Sequence, residues 1–259
     1  MGMRMRRLRL FAASLTLAVI ALVVVGMVLF QVGLRLAAAD SGRVYVDAAG
    51  EDGPACGTVV SPCQTIQYAI DAVADDGDTI IVAAGTYTEQ VEIAKNITLE
   101  GAGSSTVIES PLELTTCFTV AAPNCAIVYV HDVDAVTIRE LVVDGAGRGQ
   151  ATCRFHGIGF HNAGGTVEDV DIQDVRHEPL TAAEGGAGIY LYNDDGISRS
   201  ITVGDSRISR FQKNGLALRA SDTTPLTVDI RGNQLEGAGV LTYDSGEPVQ
   251  NGIEVWADR

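Results

Sequence analysis

The stretch AGIYL, residues 187–191, has three counterparts in the second half of the chain: HGIGF (156–160), NGLAL (214–218) and NGIEV (251–255). Each reads x-Gly-[Ile/Leu]-x-[Phe/Leu/Val], and the intervals between the glycines are 31, 27 and 37 residues. A second motif sits inside this spacing. Val136-x-Ile138, Ile201-x-Val203 and Val228-x-Ile230 are followed, five residues after the second apolar position, by Val143, Ile208 and Leu235. In the last two units it begins 13 residues after the glycine. Between Gly157 and Gly188, Val170 and Val175 keep the five-residue step and are read as a degenerate copy.

Strands this short cannot bury their apolar side chains alone. Stacking one coil on the next, with strands about 4.8 Å apart, buries them as continuous columns. Equivalent strands of successive coils then run parallel, in a solenoid without hairpins. The reading is all-β, a parallel β-helix over residues 40–259.

Upstream, GDTIIVAAGTYTEQVEI (Gly77–Ile93) has the same texture of short apolar bursts broken by turns. Before it, Ile66, Ala69, Ile70 and Val73 fall on one helical face. This short helix is expected to cover the open end of the solenoid, where bare strand edges would recruit other chains. The last residues, NGIEVWADR, open a fresh coil without a capping segment, and the reading at that point is of a solenoid truncated at its C-terminus.

PCQTIQYAIDAVADDGDTIIVAAGTYTEQVEI (residues 62–93), followed by NITLEGAG (residues 96–103) and the glycine repeats, resembles the pectin-lyase-like superfamily from about Val44 onward. The resemblance implies a three-sheeted coil of right hand, an N-terminal capping helix and frequent action on acidic polysaccharides. It does not assign an activity. Polygalacturonases of that superfamily show Asn-Thr-Asp, Asp-Asp, Gly-His-Gly and Arg-Ile-Lys in that order. Here His156-Gly157 precedes Asp194-Asp195, and Arg207-Ile208 is followed by Ser209.

The N-terminus is a separate signal. Arg4, Arg6, Arg7 and Arg9 precede twenty uncharged residues, 11–30, and Ala37-x-Ala39 offers a cleavage site. Residues 1–39 are therefore read as a signal peptide or an N-terminal membrane anchor, and both remain open. The expected location is extracellular or at the cell surface. Residues 1–36 hold five Arg and no acid, leaving 13 basic against 33 acidic residues, a formal charge of −20. Such a body repels nucleic acid and anionic lipid, so nucleic acid is excluded as a partner, and membrane contact is confined to the N-terminal segment.

All five cysteines lie beyond the apolar segment, where disulfides persist. Cys56 and Cys63 flank one short loop and Cys117 and Cys125 another, leaving Cys153 odd. No zinc-type spacing occurs, so no structural metal is expected.

Strand alternation predicts two outward columns. Two residues after each glycine stand Gly159, Tyr190, Ala217 and Glu254; four after stand His161, Tyr192, Arg219 and Trp256. Stacked rings beside a guanidinium suit sugar rings and their carboxylates, although outward aromatics also pack beneath long loops. Asp194 and Asp195 follow the same strand, either as an acid/base pair, as calcium ligands or as an ordinary turn. Calcium is the one cofactor considered. Gln173, Ser206 and Asn233 read as a structural ladder, and His131 and His177 as isolated surface residues; Asn96-Ile97-Thr98 matches a glycosylation acceptor.

The expected ligand-binding residues are thus His161, Tyr190, Tyr192, Asp194, Asp195, Arg219 and Trp256, with no catalytic residue assigned. The reading is an exported protein that binds extracellular carbohydrate or serves as a surface scaffold. The alternative is a lyase, epimerase or glycoside hydrolase acting on an acidic polysaccharide.

Overall fold

The computed structural model describes residues 42–149, 153–180, 185–221, 224–239 and 250–258. The N-terminal segment read as a signal or anchor lies outside them. No helix among the described residues is long and apolar enough to cross a membrane.

A first strand, β1 (Arg43–Val46), leads into the short helix α1 (Ile66–Tyr68), which continues as a π-type turn over Ala69–Val73. The coils then follow in threes. The first is β2 (Thr79–Val82), β3 (Gly85–Thr88) and β4 (Val91–Ile93). The second is β5 (Thr98–Glu100) and β6 (Thr106–Glu109), closed by a hairpin of β7 (Cys117–Val120) and β8 (Ala122–His131). In the third and fourth, one bent strand covers two faces: β9 (Val136–Asp144) with β10 (Arg154–His161), then β11 (Gly165–Gln173) with β12 (Ala187–Asn193). The fifth is β13 (Arg199–Gly204), β14 (Arg207–Phe211) and β15 (Asn214–Ser221), and the last is β16 (Leu226–Arg231), β17 (Gln234–Gly237) and β18 (Asn251–Asp258).

One face is the ladder β1-β2-β5-β9-β11-β13-β16; β3, β6, β14 and β17 join the far halves of β9 and β11 to make the second; β4-β8-β10-β12-β15-β18 is the third. All these pairings are parallel, and the fold is a right-handed parallel β-helix. The corner between the first two faces is a column of left-handed backbone, with φ of 54° at Glu140, 52° at Asp169, 49° at Asp205 and 68° at Gly232. There the chain turns without breaking the ladder on either side. The exception to the parallel rule is β7, antiparallel to β8, so the expectation of a solenoid without hairpins is corrected.

The glycine repeat has a steric cause. A Cβ on Gly157 would stand 2.6 Å from the carbonyl oxygen of Gly188, and one on Gly188 would stand 2.8 Å from that of Gly215. Only glycine lets successive coils close at this position. Beside it, Ile158, Ile189 and Leu216 pair in register, fully buried. Burying each such side chain contributes about 1.5–3 kcal/mol. Ile253 completes the register on β18 and is 47% exposed.

Two sequence readings shift by a few residues. The copy of the second motif between Gly157 and Gly188 is Val167 and Ile172, paired with Ile138 and Val143, and not Val170 and Val175. Gly165 stands where the other copies carry Val136 or Ile201, because a Cβ there would clash with the Val136 carbonyl, and this removes the apolar marker from the sequence. The polar ladder likewise excludes Gln173, which pairs with Asp144 and Ser209. Instead the Ser206 Oγ accepts from the Val170 amide at 3.1 Å, and the Asn233 side chain accepts from the Ser206 amide at 3.0 Å and donates to the Val203 carbonyl at 2.7 Å.

Helix α1 buries Ile66, Ala69 and Ile70. Its first amides are satisfied from the next coil, since the Glu89 carboxylate accepts from Ile66 N at 3.0 Å and Gln67 N at 2.9 Å. At the other end the Lys95 ammonium donates to the carbonyls of Ile70 and Ala74 at 2.7 and 2.8 Å. An opposite charge at each terminus holds a helix too short to persist alone. Asn96 is also engaged: its Oδ1 accepts from the amides of Asp134 and Ala135. Disulfides join Cys56 to Cys63 and Cys117 to Cys125.

Candidate functional site

The outer surface of the third face carries the two outward columns. Register places His131, His161, Tyr192, Arg219 and Trp256 on neighbouring rungs, so His131 belongs to the column although its sequence context reads as isolated. The inner column runs Tyr129, Gly159, Tyr190, Ala217 and Glu254.

The lower half of this surface is roofed. Hairpin strand β7 lays Phe118 across Gly159, where a Cβ would meet the Ala126 side chain at 2.9 Å. The Phe118 ring stacks on His161 at 4.6 Å, Tyr129 at 5.4 Å and Tyr192 at 6.4 Å, and is tilted against Tyr190 at 5.9 Å. Phe118, Tyr129 and Tyr190 are buried in a satellite apolar cluster outside the main core. Offset stacks of this kind add about 0.5–1.5 kcal/mol each beyond area burial.

Burial pushes the His161 imidazole pKa down, against the pull of the Asp194 and Asp132 carboxylates. Its Nδ1 lies 3.2 Å from the Tyr129 hydroxyl, whose pKa burial and the charges of Asp132 and Glu92 raise, keeping it protonated. Tyr129 can therefore donate to Nδ1. The other ring nitrogen is 3.6 Å from Asp194 Oδ1.

Asp194 and Asp195 do not converge on a shared ligand. Asp194 accepts from Asn162 Nδ2 at 3.0 Å, and its amide donates to Asn162 Oδ1 at 2.8 Å, which staples one coil to the next. Asp195 pairs with Arg199 at 2.9 Å, whose side chain is 5% exposed and whose Nε lies 2.9 Å from Asp134. Both aspartates thus hold a corner, and Asp195 also caps its own turn by accepting from the Ile197 amide.

The upper half of the surface opens into a cavity of about 310 Å³. Tyr190, Ala217, Arg219 and Trp256 line it from the outward columns, joined by Arg154, His156 and Lys213. Of the residues expected to bind ligand, Tyr190, Arg219 and Trp256 therefore share this cavity. His161 and Tyr192 lie beside Phe118, with the Arg219 guanidinium 5.8 Å from the Tyr192 ring centroid. Three cations and no carboxylate line the cavity among the described residues, on a strongly acidic body.

Alternation did not nominate His156, because counting back from Ile158 turns it inward. The paired register steps from His156 to Ile158 past Gly157, so that Phe155 points into the core and His156 turns outward to stack on Tyr190 at 4.5 Å. Asn124 Nδ2 donates to the Ala122 carbonyl, so Asn124 Oδ1 accepts from His156 Nε2 at 3.0 Å. The proton then sits on Nε2, leaving Nδ1 as a buried acceptor with no hydrogen-bond partner among the described residues. Burial, with some help from the Arg154 charge, pushes this imidazole down to about 3, so it is neutral.

No family model and no curated protein matches the chain. Among solved structures it is similar to a GH136 lacto-N-biosidase from Eubacterium ramulus, at 12% identity and a TM-score of 0.46, over 74% of this chain. The match covers 45% of that enzyme, so the chain spans less than half its length. It is also similar to the pectin methylesterase PemA from Erwinia chrysanthemi, at 13% identity and a TM-score of 0.44, over 83% of this chain and 80% of the other. A pectin methylesterase in complex with a hexasaccharide gives 11% identity and a TM-score of 0.41 over the same shares. At these identities the likeness is one of fold.

Proposed function

We propose that the protein binds an acidic extracellular saccharide in the cavity on its third face, without turning it over. The observation that carries this reading is the lining itself: Arg154, Lys213 and Arg219 beside Trp256 and Tyr190. Guanidinium and ammonium groups pair with uronate carboxylates, while indole and phenol rings stack on sugar faces. Export through the Arg-rich apolar N-terminus would put this face outside the cell, where such polymers occur.

Binding is favoured over catalysis because glycoside hydrolysis draws on two carboxylates flanking the bond. Asp194 and Asp195 are committed to Asn162 and Arg199 at a corner, away from the cavity lining. Retention on an array of uronate-containing and neutral glycans tests the reading. The expected result is retention on the uronates, at least tenfold weaker for Arg219→Ala, with no product released. Equal retention on neutral glycans, or turnover, would contradict it.

A further inference from the structure

The roof strand β7 is held by the disulfide between Cys117 and Cys125, which sit directly opposite each other in the hairpin. Cys153 belongs to neither disulfide. It precedes β10, whose Arg154 and Phe155 pair with Asn124 and Cys125, so the strand register brings it alongside the same bridge. The sulfurs of Cys117, Cys125 and Cys153 all lie within 4.8 Å of one another. A thiol beside a disulfide at this distance has a partner for exchange without any diffusing reagent.

The two sulfurs of the bridge are not equivalent. Cys117 is exposed, whereas Cys125 is 2% exposed. Attack on Cys125 expels a thiolate that water can solvate, while attack on Cys117 would expel one into the core. The product of the favoured attack also closes a longer loop of chain, which restricts the unfolded state more.

We propose that Cys117, Cys125 and Cys153 form a thiol–disulfide exchange site that unlatches the roof over the aromatic column. The Cys153 thiolate attacks Cys125 Sγ, the Cys125–Cys153 bond forms and the Cys117–Cys125 bond breaks. The electron pair leaves on Cys117, which takes up the proton that Cys153 gave to solvent. Sulfur oxidation states balance, and no outside oxidant or reductant is needed. Phe118 follows Cys117 directly in the chain, so the exchange frees the strand that covers Gly159, His161 and Tyr192. Burial raises the Cys153 thiol pKa, which makes the exchange slow at neutral pH and faster as pH rises.

Disulfide mapping decides the matter independently of any saccharide. The full chain, purified without reductant, is held at pH 8.5, alkylated, digested and mapped by mass spectrometry. The expected result is two linkages, Cys117–Cys125 and Cys125–Cys153, with alkylated Cys117 accompanying the second. With oxidised glutathione supplied to take up the two electrons, Cys117→Ser should close Cys125–Cys153, and Cys153→Ser should show Cys117–Cys125 alone. A wild-type chain with only Cys117–Cys125 and fully alkylated Cys153 would overturn the proposal. So would a folded Cys117→Ser in which Cys125 and Cys153 are both alkylated, or Cys153 bridged only between molecules. Should Cys117→Ser not fold, the wild-type map decides alone.

Discussion

The ring of Phe118 lies almost parallel to that of His161, with 4.6 Å between centroids and 13° between planes, in space left open by a glycine at position 159. A Cβ at 159 would press on the Ala126 side chain at 2.9 Å and stand in van der Waals contact with the Phe118 ring at 3.8 Å. The same relationship divides the third face into a closed aromatic half and an open cavity half.

Phe118→Ala should therefore cost about 3 kcal/mol of stability, at the low end of the range for buried phenylalanine because the site is a surface satellite rather than the main core. It should also let the His161 pKa rise toward its ordinary value, since burial is what lowers it. Urea unfolding and an NMR titration of the imidazole check the two effects. An unchanged His161 titration in the folded variant would contradict the roof.

Gly188→Ala should destabilise by about 1–3 kcal/mol, because the new methyl group meets the Gly215 carbonyl and the Ile208 side chain in adjacent strands. Gly53→Ala meets nothing within 4 Å and should be neutral. Comparison of urea midpoints at unchanged m-value separates close coil packing from a general intolerance of substitution.

His156 makes stability pH-dependent. Its folded pKa, about 3, lies below the unfolded value near 6.5, so between these the unfolded chain binds a proton that the folded chain does not. Stability is then present above about pH 6.5 and is lost as pH falls, at about 1.4 kcal/mol per pH unit from this residue. Burial lowers His161 and His177 as well, which adds in the same direction. Asp174 is held below the usual carboxylate range, first by Arg210 and then by Arg176, so its contribution is complete above the free carboxylate value and does not enter a titration between pH 6.5 and 4.5. Unfolding measured from pH 6.5 to 4.5 should show a slope smaller by about one proton in His156→Phe; an unchanged slope would contradict a buried neutral imidazole.

The solenoid was legible because its markers are backbone necessities. Gly157, Gly188 and Gly215 recur where a Cβ would strike the next coil, and the apolar residue after each is buried in register. The copy at Val167 and Ile172 was harder to see, because Gly165 replaces the apolar residue that marks the others. The cavity was half legible. Alternation finds Tyr190, Arg219 and Trp256, but His156 escapes because the ladder skips Gly157 and the parity of the strand changes. Phe118 is invisible to any periodic reading, since it arrives on a hairpin that departs from the repeat; the unusual Gly159 in an outward column was its one trace.

Asp195→Ala should lower stability by about 1–3 kcal/mol, since it strips a partner from the buried Arg199 guanidinium. Saccharide retention should not change, because Asp195 faces the corner and not the cavity. Parallel thermal-shift and glycan-array measurements on this variant distinguish a structural carboxylate from a catalytic or calcium-binding one.

Trp256, the single tryptophan of the chain, is 39% exposed at the cavity wall and reports on that site alone. Titration of its fluorescence with an oligogalacturonate and with a neutral oligosaccharide of equal length is the most direct measurement. A saturable change in emission is expected with the uronate only, weakened at least tenfold in Arg219→Ala. Emission that ignores the uronate, or responds equally to both sugars, would contradict an anionic saccharide site on the third face.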